Sequence, residues 1–258
     1  GFFSVFDGHC GSTIAQFCGN NLFSFIVATP AFHQKDYAGA MVQGYVAIDK
    51  HLQANEMFRK DRSGCTAISV WLLGNELYCA NAGDSRAILS RSGTAFPLST
   101  DHKPNLPEEQ RRIEKAGGMV RNKRVNGVLA LSRALGDFSF KQNWMIGWEE
   151  QAVTPVPDVV HVTLGARDEF IVVACDGIWD VMTNAQVVQF VAPRIAKGVP
   201  LPQICELLMQ NCLSPHPFGL GCDNMSVILV ALDGTGAVSV GRAVSEGKSP
   251  TESVPQSA

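Results

Sequence analysis

Residues 66–90 read Thr66-Ala67-Ile68-Ser69-Val70-Trp71-Leu72-Leu73-Gly74-Asn75-Glu76-Leu77-Tyr78-Cys79-Ala80-Asn81-Ala82-Gly83-Asp84-Ser85-Arg86-Ala87-Ile88-Leu89-Ser90. Three apolar runs, 66–73, 76–82 and 86–90, are separated by Gly74-Asn75 and Gly83-Asp84-Ser85, with Ser92-Gly93 beyond. Runs this short, joined by turns this tight, predict an antiparallel meander. Upstream the period changes. Residues 12–28 place Ile14, Phe17, Cys18, Leu22, Phe25 and Ile26 on a helical stripe, and 36–58 do the same with Met41, Tyr45, Ile48 and Leu52. A short apolar strand, 2–6, precedes both, and the polar break Arg59-Lys60-Asp61-Arg62-Ser63-Gly64 follows them.

Downstream, Asn105 is placed to cap a helix over 107–116 that starts on Pro107 and stops at Gly117-Gly118. Residues 124–131 predict strand. Residues 138–157, with two tryptophans and two prolines, form an irregular segment of the kind that serves as a functional flap. Strands are expected at 158–164, 169–175 and 225–232. Between the last two lie a helix capped by Thr183 or Asn184, with Val187, Val188, Val191 and Ile195 inward, and a second over 201–213. After Asp233 the chain turns Gly, Ser, Thr and Pro rich, which predicts a disordered tail over 233–258 and a folded domain over 1–232.

With 258 residues, 46% of them hydrophobic, the chain is long enough to bury a sizeable core. A formal charge of -3 offers no basic footprint for nucleic acid or an anionic membrane, and no apolar run approaches a bilayer span. The start, Gly1-Phe2-Phe3, has no cationic segment ahead of its apolar residues, so no secretory signal is expected. Eight cysteines without a Cys-x-x-Cys pair predict small core residues in a reducing compartment, cytosolic or nuclear. Cys175 and Cys222 stand apart because each directly precedes an aspartate discussed next, which leaves a redox role open.

Four aspartates, Asp7, Asp84, Asp176 and Asp223, sit at the ends of apolar runs. A carboxylate at the rim of a buried strand loses hydration, and a shared positive charge compensates that loss. Hard divalent cations prefer such oxygen ligands. Asp7-Gly8 and Asp176-Gly177 lead toward helical patterns, unlike ordinary hairpin Asp-Gly turns, and each glycine leaves its carbonyl able to approach the same ion. His9, two residues after Asp7, reads either as a hydrogen-bonded structural group or as a general acid beside a cation cluster. Asp180, one short turn past Asp176, reads either as a loop hydrogen-bonding group or as an outer ligand holding metal-bound water. His102, ahead of a helix, reads as structural.

Several stretches resemble motifs of the metal-dependent Ser/Thr protein phosphatases, the type 2C or PPM family. They are Val5-Phe6-Asp7-Gly8-His9, Ser63-Gly64-Cys65-Thr66-Ala67, Asn81-Ala82-Gly83-Asp84-Ser85-Arg86, Arg124-Val125-Asn126-Gly127, Leu131-Ser132-Arg133-Ala134-Leu135-Gly136-Asp137, Ala174-Cys175-Asp176-Gly177-Ile178-Trp179-Asp180 and Asp223-Asn224-Met225-Ser226, in family order over 1–232. The resemblance implies an α+β fold, an αββα sandwich of two antiparallel sheets flanked by helices, and makes 1–232 a phosphatase catalytic domain. It implies that Asp7 bridges two Mg2+ or Mn2+ ions and that the Gly8 carbonyl binds one. Asp176 and Asp223 would bind the other, and Asp84 with Asp176 a weaker third. A water bridging the ions would attack phosphorus in line, and His9 would protonate the departing Ser or Thr oxygen of a phosphoprotein substrate. A monomer is expected.

Family members carry, on strands ahead of the first of these motifs, an arginine that grips the phosphate and an acidic metal ligand. This sequence begins after them, so the expectation is a first sheet short of its N-terminal strands and reduced turnover. Cys10 also follows His9 where glycine or alanine is common. The competing readings are a catalytically silent phosphatase-like binding module and a phosphatase of small molecules.

Overall fold

The computed structural model describes residues 1–215, 219–232 and 238–245. In chain order, β1 (Phe2–Val5) and β2 (Gly8–His9) lead into α1 (Thr13–Val27), α2 (Pro30–His33), α3 (Tyr37–Ala54) and α4 (Glu56–Lys60). Next come β3 (Gly64–Cys65), β4 (Ala67–Leu73), β5 (Glu76–Ala82), β6 (Arg86–Arg91), β7 (Thr94–Pro97), α5 (Pro107–Lys115), β8 (Val120–Arg121), β9 (Arg124–Val125) and β10 (Leu135–Gly136). The chain continues through β11 (Asp158–Thr163), β12 (Asp168–Ala174), α6 (Asp176–Trp179), α7 (Asn184–Ala196), α8 (Leu201–Cys212), β13 (Met225–Leu232) and β14 (Val238–Ser245).

Two sheets carry the fold. One runs β1-β4-β5-β11 and the other β14-β13-β12-β6-β7, with antiparallel neighbours throughout. Strand side chains alternate between faces, and in β4 both faces are buried. Ile68, Val70 and Leu72 pack between the sheets against Leu89, Ile171, Val173 and Val230. Ala67 and Trp71, on the other face, pack under α1 and α3 with Leu22, Ile26, Met41, Tyr45 and Ile48. In β12 the division repeats: Ile171 and Val173 turn to the middle layer, while Phe170 and Val172 meet Val188, Val191, Ile204 and Leu208 of α7 and α8. Each fully buried side chain of this size contributes about 1.5–3 kcal/mol. Uninterrupted apolar strands are therefore what a four-layer αββα sandwich requires. The fold is the expected one.

Several details differ from the expectation. The three runs of 66–90 are not one meander: β4 and β5 form a hairpin, but β6 leaves for the other sheet and pairs with β12 and the unanticipated β7. Gly83 makes that crossing possible, with φ +124° and a position where a Cβ would stand 2.7 Å from the Thr66 side chain. The helix expected over 36–58 breaks at Asn55, whose extended backbone and side-chain bond to the Met57 N–H start α4 afresh. Asn105 does not cap α5; Leu106 precedes Pro107 there, and no side-chain cap forms. Residues 124–131 hold strand geometry only at Arg124–Val125 before turning through Asn126 and Gly127. Within the segment expected to be a disordered tail, 238–245 is a strand along the whole of β13. Its backbone ladder and the seat of Gly241 against Leu201 hold it, a pairing that composition does not register. Residues 233–237 and 246–258 of that expected tail lie outside the described residues.

Candidate active site

Strand ends of both sheets meet at one end of the sandwich. Asp7 follows β1, Asp84 lies in the β5–β6 crossing, Asp176 follows β12 and Asp223 precedes β13. These four, with Gly8 and His9, line one cleft of about 320 Å³ together with Arg124 and Thr66. Thr66 fixes Asp7 from both sides: its Oγ1 accepts the Asp7 N–H at 3.1 Å and its own N–H donates to the Asp7 carbonyl at 2.9 Å. The same hydroxyl lies 2.7 Å from Ser85 Oγ, which ties the Asp84 turn to Asp7 across the two sheets. Asp176 opens α6, and Gly177 lets that helix sit against the segment before β13. A Cβ there would fall 2.4 Å from the Asn224 carbonyl oxygen, so this close approach brings Asp176 and Asp223 together.

The electrostatics are those of a site awaiting positive charge. Burial, then Asp223 and Asp84, push Asp7 up to about 6, opposed in part by Asp176 and His9. Burial, Asp84, Asp7 and Asp223 push Asp176 up to about 8. Asp176 Oδ1 is buried without a hydrogen-bond partner among the described residues. Asp7, Asp176 and Cys175 each offer a ligand atom, all within 4.8 Å of one another. A dehydrated carboxylate oxygen with no donor is costly unless a cation meets it, so this donor set fits a hard divalent ion.

Cys175 belongs to the scaffold. Burial pushes its thiol up to about 12, and its sulfur accepts the Ser226 N–H at 3.1 Å. Burial disfavours the thiolate form that redox chemistry uses. Asp84 differs from the other carboxylates, because Lys103 already forms an ion pair with it. Burial raises Asp84, and Lys103 pulls it back. Asp180 is exposed at the end of α6, and its N–H donates to the Asp176 carbonyl at 2.8 Å. His102 is structural as expected, accepting the Gly83 N–H at 3.2 Å and meeting Asp158 at 3.1 Å.

Two groups at the cleft are visible only in three dimensions. Asp137, buried and at φ 52°, places Oδ2 2.7 Å from His9 Nε2. Burial alone would lower the His9 pKa; the Asp137 hydrogen bond and charge, with Asp7 and Asp84, outweigh it and raise the pKa. The net effect favours the protonated ring. The second group is Arg124, which lines the cleft and donates to the Val128 carbonyl at 2.7 Å. Both residues lie within stretches quoted above for the resemblance. Nothing local, however, signals a contact spanning 128 residues of sequence.

Asp137 is held in turn from beneath. Asp49 of α3 and Lys141 form a fully buried ion pair at 2.7 Å. Asp49 accepts the Gly136 N–H at 2.7 Å, and Lys141 donates to the Ala134 carbonyl at 2.8 Å. Arg133 clamps the same segment to Glu109 of α5 and Asp158 of β11, at 2.8 and 2.7 Å.

An αββα sandwich whose strand-end carboxylates converge on a cation-seeking cleft, with a carboxylate-bonded histidine at its edge, defines the class of protein. The family model for protein phosphatase 2C matches residues 1–216. Protein phosphatase 2C homolog 3 of Schizosaccharomyces pombe is 49% identical over 90% of this chain and 56% of its own length. A probable protein phosphatase 2C of Caenorhabditis elegans is 49% identical over 90% of this chain and 65% of its own. The crystal structure of a phosphatase from a pathogenic strain of Toxoplasma gondii superposes with a TM-score of 0.76 at 27% identity, covering 95% of this chain and 88% of that one. The chain belongs to the protein phosphatase 2C family, and it spans between half and two-thirds of the length of these two curated relatives.

Proposed function

We propose that this protein hydrolyses phosphoserine and phosphothreonine in proteins, with Mg2+ or Mn2+ held by Asp7, the Gly8 carbonyl, Asp176 and Asp223. The observation that carries this reading is the buried, partnerless Asp176 oxygen beside Asp7, in the cleft that also holds His9. When bound, such ions offset the phosphate charge and acidify the water that attacks phosphorus. The chain's own groups do the rest. Arg124 is the cleft arginine positioned to receive phosphate oxygens, and a guanidinium offers them a bidentate grip. His9, whose protonated form Asp137 favours, delivers a proton to the departing seryl or threonyl oxygen as its bond to phosphorus breaks. Since Nε2 is engaged by Asp137, Nδ1 is the ring nitrogen left for the substrate. Asp84 would hold a third ion only on releasing Lys103, a competition that would weaken binding there.

The same reading carries the expectation of a reducing compartment, cytosol or nucleus, on the grounds of its eight scattered cysteines, and of a monomer. No helix among the described residues is long and apolar enough to cross a membrane. The full-length protein, assayed on a phosphothreonine peptide, a sugar phosphate and a nucleotide, tests the reading. Peptide turnover that stops with chelator and returns with Mn2+ is expected. Preference for the sugar phosphate or nucleotide, or tight phosphopeptide binding without turnover at any metal concentration, overturns it.

A further inference from the structure

A second depression lies beside the cleft, a groove of about 550 Å³ between the end of α4 and the flap that follows Asp137. One wall is the exposed Arg59-Lys60-Asp61-Arg62 run, three cations within four residues of a chain whose net charge is -3. Lys60 pairs with Glu56 one turn away, and Asp61 turns its carboxylate onto the Ser63 N–H at 2.7 Å. Arg59 and Arg62 have no carboxylate partner among the described residues. The other wall is aromatic: Phe138, Trp148 and Trp144, the last 88% exposed. An indole this exposed, next to two uncommitted guanidinium groups, is unusual on a surface that has no use for it.

The groove and the cleft share no lining residue, but both walls of the groove adjoin, along the chain, residues that hold His9. Its basic wall runs through Ser63 into Gly64, which pairs with His9 in the β2–β3 ladder. Its aromatic wall starts at Phe138, directly after the Asp137 that grips His9. His9 is thus the point from which a substrate chain leaving the cleft would reach these two walls.

We infer that this groove binds an acidic, extended segment of the phosphoprotein substrate flanking the phosphorylated residue, with Arg59 and Arg62 pairing its carboxylates and Trp144 covering its backbone. This rests on the phosphatase reading for the position of the phosphate, and on charge complementarity for the occupant. Rim charges of this kind act on encounter and affinity and leave the chemical step alone.

The test uses the full-length, Mn2+-loaded protein with phosphothreonine peptides whose flanks are either acidic or neutral. Wild type is expected to favour the acidic flank by roughly tenfold in kcat/KM, an advantage that shrinks as salt rises. The double variant Arg59→Glu/Arg62→Glu should abolish that preference through KM, with kcat and the hydrolysis of p-nitrophenyl phosphate unchanged. Trp144→Ala should weaken both peptides and leave p-nitrophenyl phosphate alone. Absence of flank preference in wild type, or equal loss on the peptide and on p-nitrophenyl phosphate, overturns the inference. Should wild type turn over neither substrate, the phosphatase reading fails, and fluorescence anisotropy of a labelled, unphosphorylated acidic peptide still decides the groove. Binding weakened severalfold by the double variant supports it. An unchanged Kd, or charge-dependent binding to anionic lipid vesicles in place of the peptide, overturns it.

Discussion

Replacing Asp49 by alanine should damage catalysis from a position inside the core. Asp49 and Lys141 are both 0% exposed, and between them they hold the Gly136 N–H and the Ala134 carbonyl on either side of Leu135, just ahead of Asp137. The variant leaves a buried ammonium with one carbonyl acceptor and a buried N–H with none. Breaking one half of a buried pair costs about 3–5 kcal/mol, which at roughly 2–4 °C per kcal/mol lowers Tm by about 6–20 °C. The pair is not self-sufficient, because burial raises the Asp49 pKa in spite of Lys141 and the Gly136 N–H. Apolar replacement of both, Asp49→Leu/Lys141→Met, should therefore recover most of the loss and yield a coupling of about 2 kcal/mol or more in the double-mutant cycle. Urea unfolding of the four proteins measures this, and kcat on a phosphopeptide measures the effect on Asp137. A single-variant loss below about 1 kcal/mol, or additive effects in the cycle, refutes the argument that this pair holds the Asp137 segment.

Two further outcomes follow from the same geometry. Asp137→Asn keeps the side chain's size but removes the charge that raises His9, so kcat should fall roughly 10–100-fold with KM nearly unchanged. The alkaline limb of kcat, where the imidazolium is lost as pH rises, should move to lower pH; an unmoved limb contradicts the positioning role. In acid, Glu109 is the group to follow. Burial alone would raise it, but Arg133 and Arg112 hold it down, from its ordinary 4.5 to about 2. Its stabilising contribution, at most about 3 kcal/mol, is complete above its unfolded pKa and disappears as pH falls through about 2. Urea midpoints between pH 5 and 2.5 should decline less steeply in Arg133→Met than in wild type; parallel declines contradict the assignment.

The elements and the acidic site were legible because their signals are local. Apolar runs such as 169–175 announce buried strands, and an aspartate at the end of each marks a rim where charge must be compensated. Which strands share a sheet was not legible. Periodicity says that 86–90 is a strand but carries no information on whether it pairs with β5 or with β12, and the answer depends on Gly83 allowing a crossing. The strand at 238–245 was hidden for a related reason: its hold is a backbone ladder on β13, while its side chains are mostly exposed and its composition resembles a linker. Asp137 and Arg124 carry no local sign of a role, because the first acquires its meaning from a histidine 128 residues away and the second from a cleft that exists only after folding. The pairing of Lys103 with Asp84 has no local sign either, since a lysine ahead of a helix does not announce that it turns toward a carboxylate cluster.

The central claim is that Asp7, Asp176 and Asp223 form a cation site, and calorimetric titration of the metal-free full-length protein with Mn2+ tests it directly. Asp176→Asn is nearly isosteric and removes the carboxylate that burial, Asp84, Asp7 and Asp223 disfavour, so the metal-free variant should be no less stable than wild type. Its Mn2+ affinity should nonetheless fall by roughly 100-fold or more, about 2.7 kcal/mol, because an amide oxygen replaces a carboxylate at the buried position. An Asp176→Asn isotherm that superposes on that of the wild type would contradict the account.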